Sequence, residues 1–215
     1  MFTIRPYRAE DVKDCSRCFY ESFFTCSIDG NDRGFLRDYV QILIEKCSFT
    51  YVAETSDHQV VGFICGIYDK KFHPKKSDFD RCKKHYGAWC RMFLKFYLGQ
   101  YRLSEAFQKQ LDDFLLQLRE REEKYFDSCD LELAALSSRK DYRKGLGTVL
   151  VSKFMDRAEA DRASTVRLLT NTLATWKFYE KRGFIKKAEK PFPDGSGQKT
   201  LIYEYRLEQK GSIGR

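Results

Sequence analysis

A chain of 215 residues, 42% of them hydrophobic, has material for one substantial core and excludes a disordered chain. Its formal net charge of +8 points to an anionic partner, be it a phosphate-bearing cofactor, a nucleic acid or an acidic protein surface. No apolar run approaches the about 20 residues that span a bilayer, and Met1-Phe2-Thr3-Ile4-Arg5 has no signal-peptide core, so a cytoplasmic protein with no membrane partner is expected.

Thr3-Ile4-Arg5-Pro6 reads as a first strand, followed by a helix from Asp11 to Phe24 with Val12, Cys15, Phe19 and Phe23 on one side. Asp29-Gly30-Asn31-Asp32 reads as a loop, and Phe35 to Cys47 as a second amphipathic helix. Phe49 to Glu54 and Gln59 to Tyr68 have strand chemistry and are joined by the polar connection Thr55-Ser56-Asp57-His58, suited to a hairpin. The eight cysteines are scattered among aliphatic neighbours and read as reduced core residues. Cys15-x-x-Cys18 is the one tight pair, and His58, His73 and His85 form no partner motif for zinc, so no metal is expected.

From Lys70 to about residue 126 the pattern changes to a helical insertion. Lysines and arginines crowd Lys70 to Lys84, a cluster read as a solvated face, so a nucleic-acid partner is not expected. His85 to Leu98 carries Tyr86, Trp89, Cys90, Phe93 and Phe96 at helical intervals, a stripe read as core packing. Ser104 is placed to cap a further helix buried through Phe107, Leu111, Phe114, Leu115 and Leu118.

Leu131 to Leu136 is short and apolar enough for a buried strand, and Val149, Leu150, Phe154 and Ala158 then recur at helical spacing. Arg143-Lys144-Gly145-Leu146-Gly147 therefore falls at a strand-to-helix junction. Glycines there allow close backbone approach, and the first free amides of a helix attract an anion such as phosphate. Thr165 to Thr170 reads as another strand, Thr172 to Arg182 as a short helix, and Gly183 as its left-handed terminus. Phe184 to Ala188 and Leu201 to Leu207 close the chain as strands around a turn at 191–197, before a loose tail at 211–215.

Two of these stretches, in this order, resemble the GCN5-related N-acetyltransferase (GNAT) family. The glycine stretch is similar to the family's Gln/Arg-x-x-Gly-x-Gly/Ala loop, with Tyr142 at the first position and Arg143 one place late. Asn171-Thr172-Leu173-Ala174-Thr175-Trp176-Lys177-Phe178-Tyr179-Glu180-Lys181-Arg182-Gly183-Phe184 is similar to its Asn-x-x-Ala-x-x-Phe-Tyr-Glu-Lys-x-Gly-Phe segment, although Thr172 holds the strict asparagine position. The order of strands and helices matches as well. The resemblance implies a single α/β (α+β) domain over 1–215, with a mixed, mostly antiparallel central sheet flanked by helices and a helical insertion at about 70–126 between the third and fourth strands. It implies acetyl-CoA as acyl donor, held by Arg143, Lys144, Gly145, Leu146, Gly147, Thr148 and Asn171, with backbone amides of Ala135, Leu136 and Ser137 beside the thioester. It also implies Glu132 as the base that deprotonates an amine and Tyr179 as the donor to the departing thiolate. The acceptor is a small-molecule or protein amine. The alternative is a binding module of the same fold that holds acyl-CoA without transfer. The insertion is free to shape the acceptor pocket, recognise a protein or mediate homodimerisation.

Overall fold

The computed structural model describes residues 2–69, 71–72, 85–119, 129–192 and 196–208. Among them the elements run β1 (Thr3–Pro6), α1 (Val12–Phe23), α2 (Gly30–Lys46), β2 (Phe49–Glu54), β3 (Val60–Tyr68), α3 (His85–Tyr97), α4 (Glu105–Arg119), β4 (Leu131–Ser138), α5 (Arg143–Ala160), β5 (Thr165–Asn171), α6 (Lys177–Glu180), β6 (Ile185–Pro191) and β7 (Lys199–Arg206). The strands form one seven-stranded sheet in the order β1-β2-β3-β4-β5-β7-β6. Every neighbouring pair is antiparallel except β4 with β5. This is the expected mixed sheet, with α3 and α4 inserted between β3 and β4. The basic cluster from Lys70 to Lys84 lies, apart from Lys71, outside the described residues, as do residues 120–128 of the insertion and the tail.

Each face of the sheet has its own core, because side chains alternate along a strand. One core joins α5, through Leu146, Leu150, Phe154 and Ala158, to Phe49, Ile64, Leu131, Leu133 and Leu168. Two glycines of β3 let α5 lie close: a Cβ on Gly62 would come within 2.9 Å of Leu146, and one on Gly66 within 2.8 Å of Phe154 and 2.7 Å of Phe49. Val149, at the same helical spacing, faces outward instead. The other core joins α1, α2 and α4 through Cys15, Cys18, Phe19, Leu36, Val40, Phe107 and Leu111. Cys15, Cys18, Cys47, Cys65 and Cys129 are buried free thiols, and burial pushes those of Cys15, Cys18 and Cys129 upward.

Three expectations are corrected. Residues 29–32 are the start of α2 and not a loop: Asp29 accepts from the amides of Asn31 and Asp32, and Asp32 returns the bond to the amide of Asp29. This reciprocal cap needs the polar residues that otherwise signal a loop. Ser104 does not cap α4 with its side chain; its hydroxyl donates to the fully buried Asp32 at 2.7 Å and its amide donates to the same carboxylate at 2.9 Å, tying α4 to α2. Lastly, the aromatic stripe of α3 does not pack inward. Ala88 and Met92 face the core, whereas Trp89, Cys90, Phe93 and Phe96 are exposed. Both faces of α3 are apolar, so periodicity could not choose between them. The rotation seen brings the Lys95 ammonium 2.6 Å from Asp38 of α2, with Tyr101 donating to the same carboxylate. On α4, Phe107 and Leu111 are buried and Phe114 half-buried, but Leu115 faces solvent.

Candidate active site

The parallel ladder between β4 and β5 is only three residues long, Leu131–Leu133 against Val166–Leu168, although β4 continues to Ser138 and β5 to Asn171. A bulge in β4 supplies the local reason. Cys65 of β3 opposes Ala135 and Gly66 opposes Leu133, so Ala134 is an extra residue. Leu131 and Leu133 face α5, Ala134 and Ala135 both turn to the opposite core, and Leu136 returns to the α5 side. Among the described residues, β4 beyond the bulge pairs with β3 alone, and the backbone groups of its other edge have no strand partner. Ala135, Leu136 and the buried Ser137 form this open edge.

The chain leaves β4 through a short 3₁₀ turn at Lys140–Tyr142 and enters α5 across a break. Lys144 has ψ 105° and Gly145 has φ +86°, a left-handed backbone suited to glycine, so regular helix begins after Gly145. The first amides of the regular helix have no intrahelical acceptor and point out of its positive end. Leu146 gives its side chain to the core, which leaves only its backbone to the cradle. Arg139, Lys140, Arg143 and Lys144 add four cations in six residues.

Sequence reasoning missed the end of α1 as part of this site, since nothing local marks it. The Glu21 carboxylate accepts from the amide of Lys140 at 2.7 Å, and its carbonyl accepts from Arg143 at 2.5 Å. Burial alone would push that carboxyl up, but the Lys140 amide and the Arg17 and Arg139 guanidinia outweigh it and hold it down. Ser22 Oγ donates to the Ser138 carbonyl and accepts from its amide. Together Glu21 and Ser22 fix the path of the chain into α5.

From the other side comes the β5–α6 segment. The expected helix from Thr172 to Arg182 is reduced to Lys177–Glu180. Asn171 Oδ1 accepts from the amides of Leu173 and Ala174, which holds the next residues in a turn, and Thr172 is tied to Gln198 and Lys199. Gly183 has the expected left-handed backbone, φ +82°. Phe178 lies against the cradle: a Cβ on Gly147 would come 3.1 Å from its ring and 4.0 Å from Leu136. Arg182 stacks on Phe178 at 3.5 Å and donates to Thr148 Oγ1 at the start of α5. Tyr179 is half-buried among Phe178, Phe184 and Tyr203, and burial pushes its phenol up to about 12 against the lowering effect of Arg182.

The fold therefore unites the two sequence stretches, with Gly147 and Thr148 of one touching Phe178 and Arg182 of the other. Residues 115–184 match the model of the acetyltransferase (GNAT) family. The chain has the GNAT fold, and its family match lies within residues 115–184. The match ends at Phe184, the last residue of the Tyr179-Glu180-Lys181-Arg182-Gly183-Phe184 segment. Solved GNAT-type structures share the fold over nearly the whole chain. A histone acetyltransferase HPA2 and related acetyltransferase from Corynebacterium glutamicum superposes with a TM-score of 0.59 at 15% identity, covering 98% of this chain and 99% of its own. The ribosomal-protein-S18-alanine N-acetyltransferase of Escherichia coli gives 0.57 at 13%, covering 100% and 99%. A GCN5-related N-acetyltransferase from Kribbella flavida gives 0.57 at 12%, covering 96% and 98%. No curated protein sequence matches the chain.

Glu132 precedes the bulge of β4. It lies in the paired part of β4, in register with Ile67 and Arg167, between two leucines that face α5. Arg167 in turn donates to the buried Glu204 at 2.8 Å.

Proposed function

We propose that this chain transfers an acetyl group from acetyl-CoA to a primary amine of a small molecule or protein by direct attack of the amine on the thioester. The observation that carries this reading is the meeting of Gly147 and Thr148 with Phe178 and Arg182 beside the open edge of β4. Acetyl-CoA would supply an acyl group activated by its thioester, on an arm ending in a diphosphate. The residues present fit it. The start of α5 offers free amides among cations to the diphosphate, and an open strand edge is what an extended, amide-bearing arm pairs with.

In this reading the backbone amides around Ala135, Leu136 and Ser137 stabilise the oxyanion that develops on the attacked carbonyl. An alkyl amine titrates near 10.4 and is protonated at pH 7. Glu132 takes its proton, directly or through water, so that the nitrogen lone pair can form the C–N bond as the C–S bond breaks. Tyr179 would stand beside the departing sulfur. A phenol at about 12 opposite a thiol near 8.5 keeps its proton. The hydroxyl therefore stabilises the thiolate chiefly as a hydrogen-bond donor, and the second proton, which the acylated nitrogen sheds, passes through solvent to the sulfur as product leaves.

Thioester turnover against a panel of amines tests the proposal. Tyr179→Phe should lower kcat by about 100- to 1,000-fold with little change in the KM for acetyl-CoA. Glu132→Gln should remove the acid limb of the kcat/KM profile. Coenzyme A binding with no turnover on any amine would instead favour the binding module.

A further inference from the structure

The outward surface of α3 is apolar over more than half a turn. Trp89, Phe93, Phe96 and Tyr97 follow one another at i, i+4, i+7 and i+8, the spacing of a single helical face, and Leu94 and Leu98 extend it. Their exposures are 54% for Trp89, 58% for Phe93, 69% for Phe96, 80% for Tyr97, 55% for Leu94 and 56% for Leu98. Trp89 and Phe93 stack on each other with nearly parallel rings 5.5 Å apart, forming an exposed ridge. A helix apolar on every side is normally buried, and among the described residues nothing covers the outward face of this one.

The neighbouring stretches of sequence, 73–84 and 120–128, are charged at 13 of their 21 positions. We infer that the cover is a second copy of this chain, with α3 packed against its two-fold mate. Six large side chains, each more than half open, leave on the order of 700 Å² per protomer, close to the about 800 Å² that each partner contributes to a standard interface. The composition also fits an interface core: Trp, Phe, Tyr and one Arg, with no outward Lys, Asp or Glu. Of the two cations on α3, Lys95 turns inward to Asp38, so only Arg91 faces out. The face carries almost no charge and is complementary to itself, as a two-fold contact requires. An anionic membrane is the weaker match, because interfacial helices hold to lipid through several outward cations. The inference does not rest on the proposed acetyl transfer.

Sedimentation equilibrium of the full chain decides it. The wild type should sediment at twice 25.4 kDa. The double variant Phe93→Glu/Phe96→Glu should sediment at the protomer mass with its far-UV circular dichroism unchanged, because neither ring is buried within the protomer. Tyr97→Asp provides a second disruption, and Lys109→Glu on the exposed side of α4 should leave the dimer intact. A wild type that stays at the protomer mass over a wide concentration range overturns the inference, as does a dimer that survives both disruptions. So does a monomer that co-sediments with phosphatidylserine vesicles, which would assign the face to lipid.

Discussion

At the residue scale, Glu204 shows how a buried carboxylate is held charged. It is almost fully buried in β7 and takes hydrogen bonds from Arg167 at 2.8 Å and Arg206 at 3.0 Å, with the Lys187 ammonium 3.3 Å away. Burial alone would push its carboxyl up; the three cations outweigh that and leave it below the usual carboxylate value. A depressed folded pKa means that its stabilisation is complete above the unfolded value of about 4.3 and drains away as pH falls through the folded one. Thermal denaturation from pH 7 to pH 3 should therefore show a steep acid loss, and Glu204→Gln should lower Tm at pH 7 while flattening that loss. An acid limb of unchanged slope would sink the assignment. Glu204 was invisible in the sequence, because its partners lie on β5, on β6 and two residues along its own strand. The cradle glycines and Tyr179 were legible because their neighbours in sequence form a compact motif. Glu21 and Ser22 were not, since they reach Lys140, Arg143 and Ser138 from more than a hundred residues away.

At the scale of elements, α5 owes its place to two glycines of β3. A Cβ at position 66 would sit 2.7 Å from the Phe49 ring and 2.8 Å from that of Phe154, and both rings are buried. Gly66→Ala should cost about 1–3 kcal/mol by overpacking, which for a chain of this size lowers Tm by roughly 2–4 °C per kcal/mol. A variant that melts with the wild type would mean that the rings repack freely. The far end of α5 is fixed by Asp161, which accepts from Tyr68 of β3 and from Arg157. Strong apolar periodicity made α1, α4 and α5 readable along the chain. The start of α2 and the shortness of α6 were not, because Asp29, Asp32 and Asn171 serve equally well in loops. Which job each performs depends on the amides nearby. The rotation of α3 was not legible either: it is tied to α2 through Lys95 and Asp38, residues 57 apart in sequence.

At the scale of the whole molecule, the sheet is two half-sheets, β1–β4 and β5–β7, joined by a ladder three residues long. A ligand lying along the open edge of β4 and over the start of α5, with Phe178 and Arg182 beside it, engages both halves. Coenzyme A at one hundred times its dissociation constant should add about 2.7 kcal/mol of stability, raising Tm by roughly 5–10 °C. It should also slow amide exchange in Ala134–Ser138. Gly145→Val, which forces a branched residue into a left-handed backbone, should abolish both effects, and their persistence would place the ligand elsewhere. The sequence alone determined the order of strands and helices, the insertion, the glycine stretch at the start of α5 and the Tyr179 segment, because hydrophobic period and short motifs are local properties of the chain. Only the tertiary structure decided where β4 and β5 part, how α1 braces the cradle and which face of α3 stays open. Each of those depends on a bulge, an ion pair or a hydrogen bond between segments that meet only once the chain has folded.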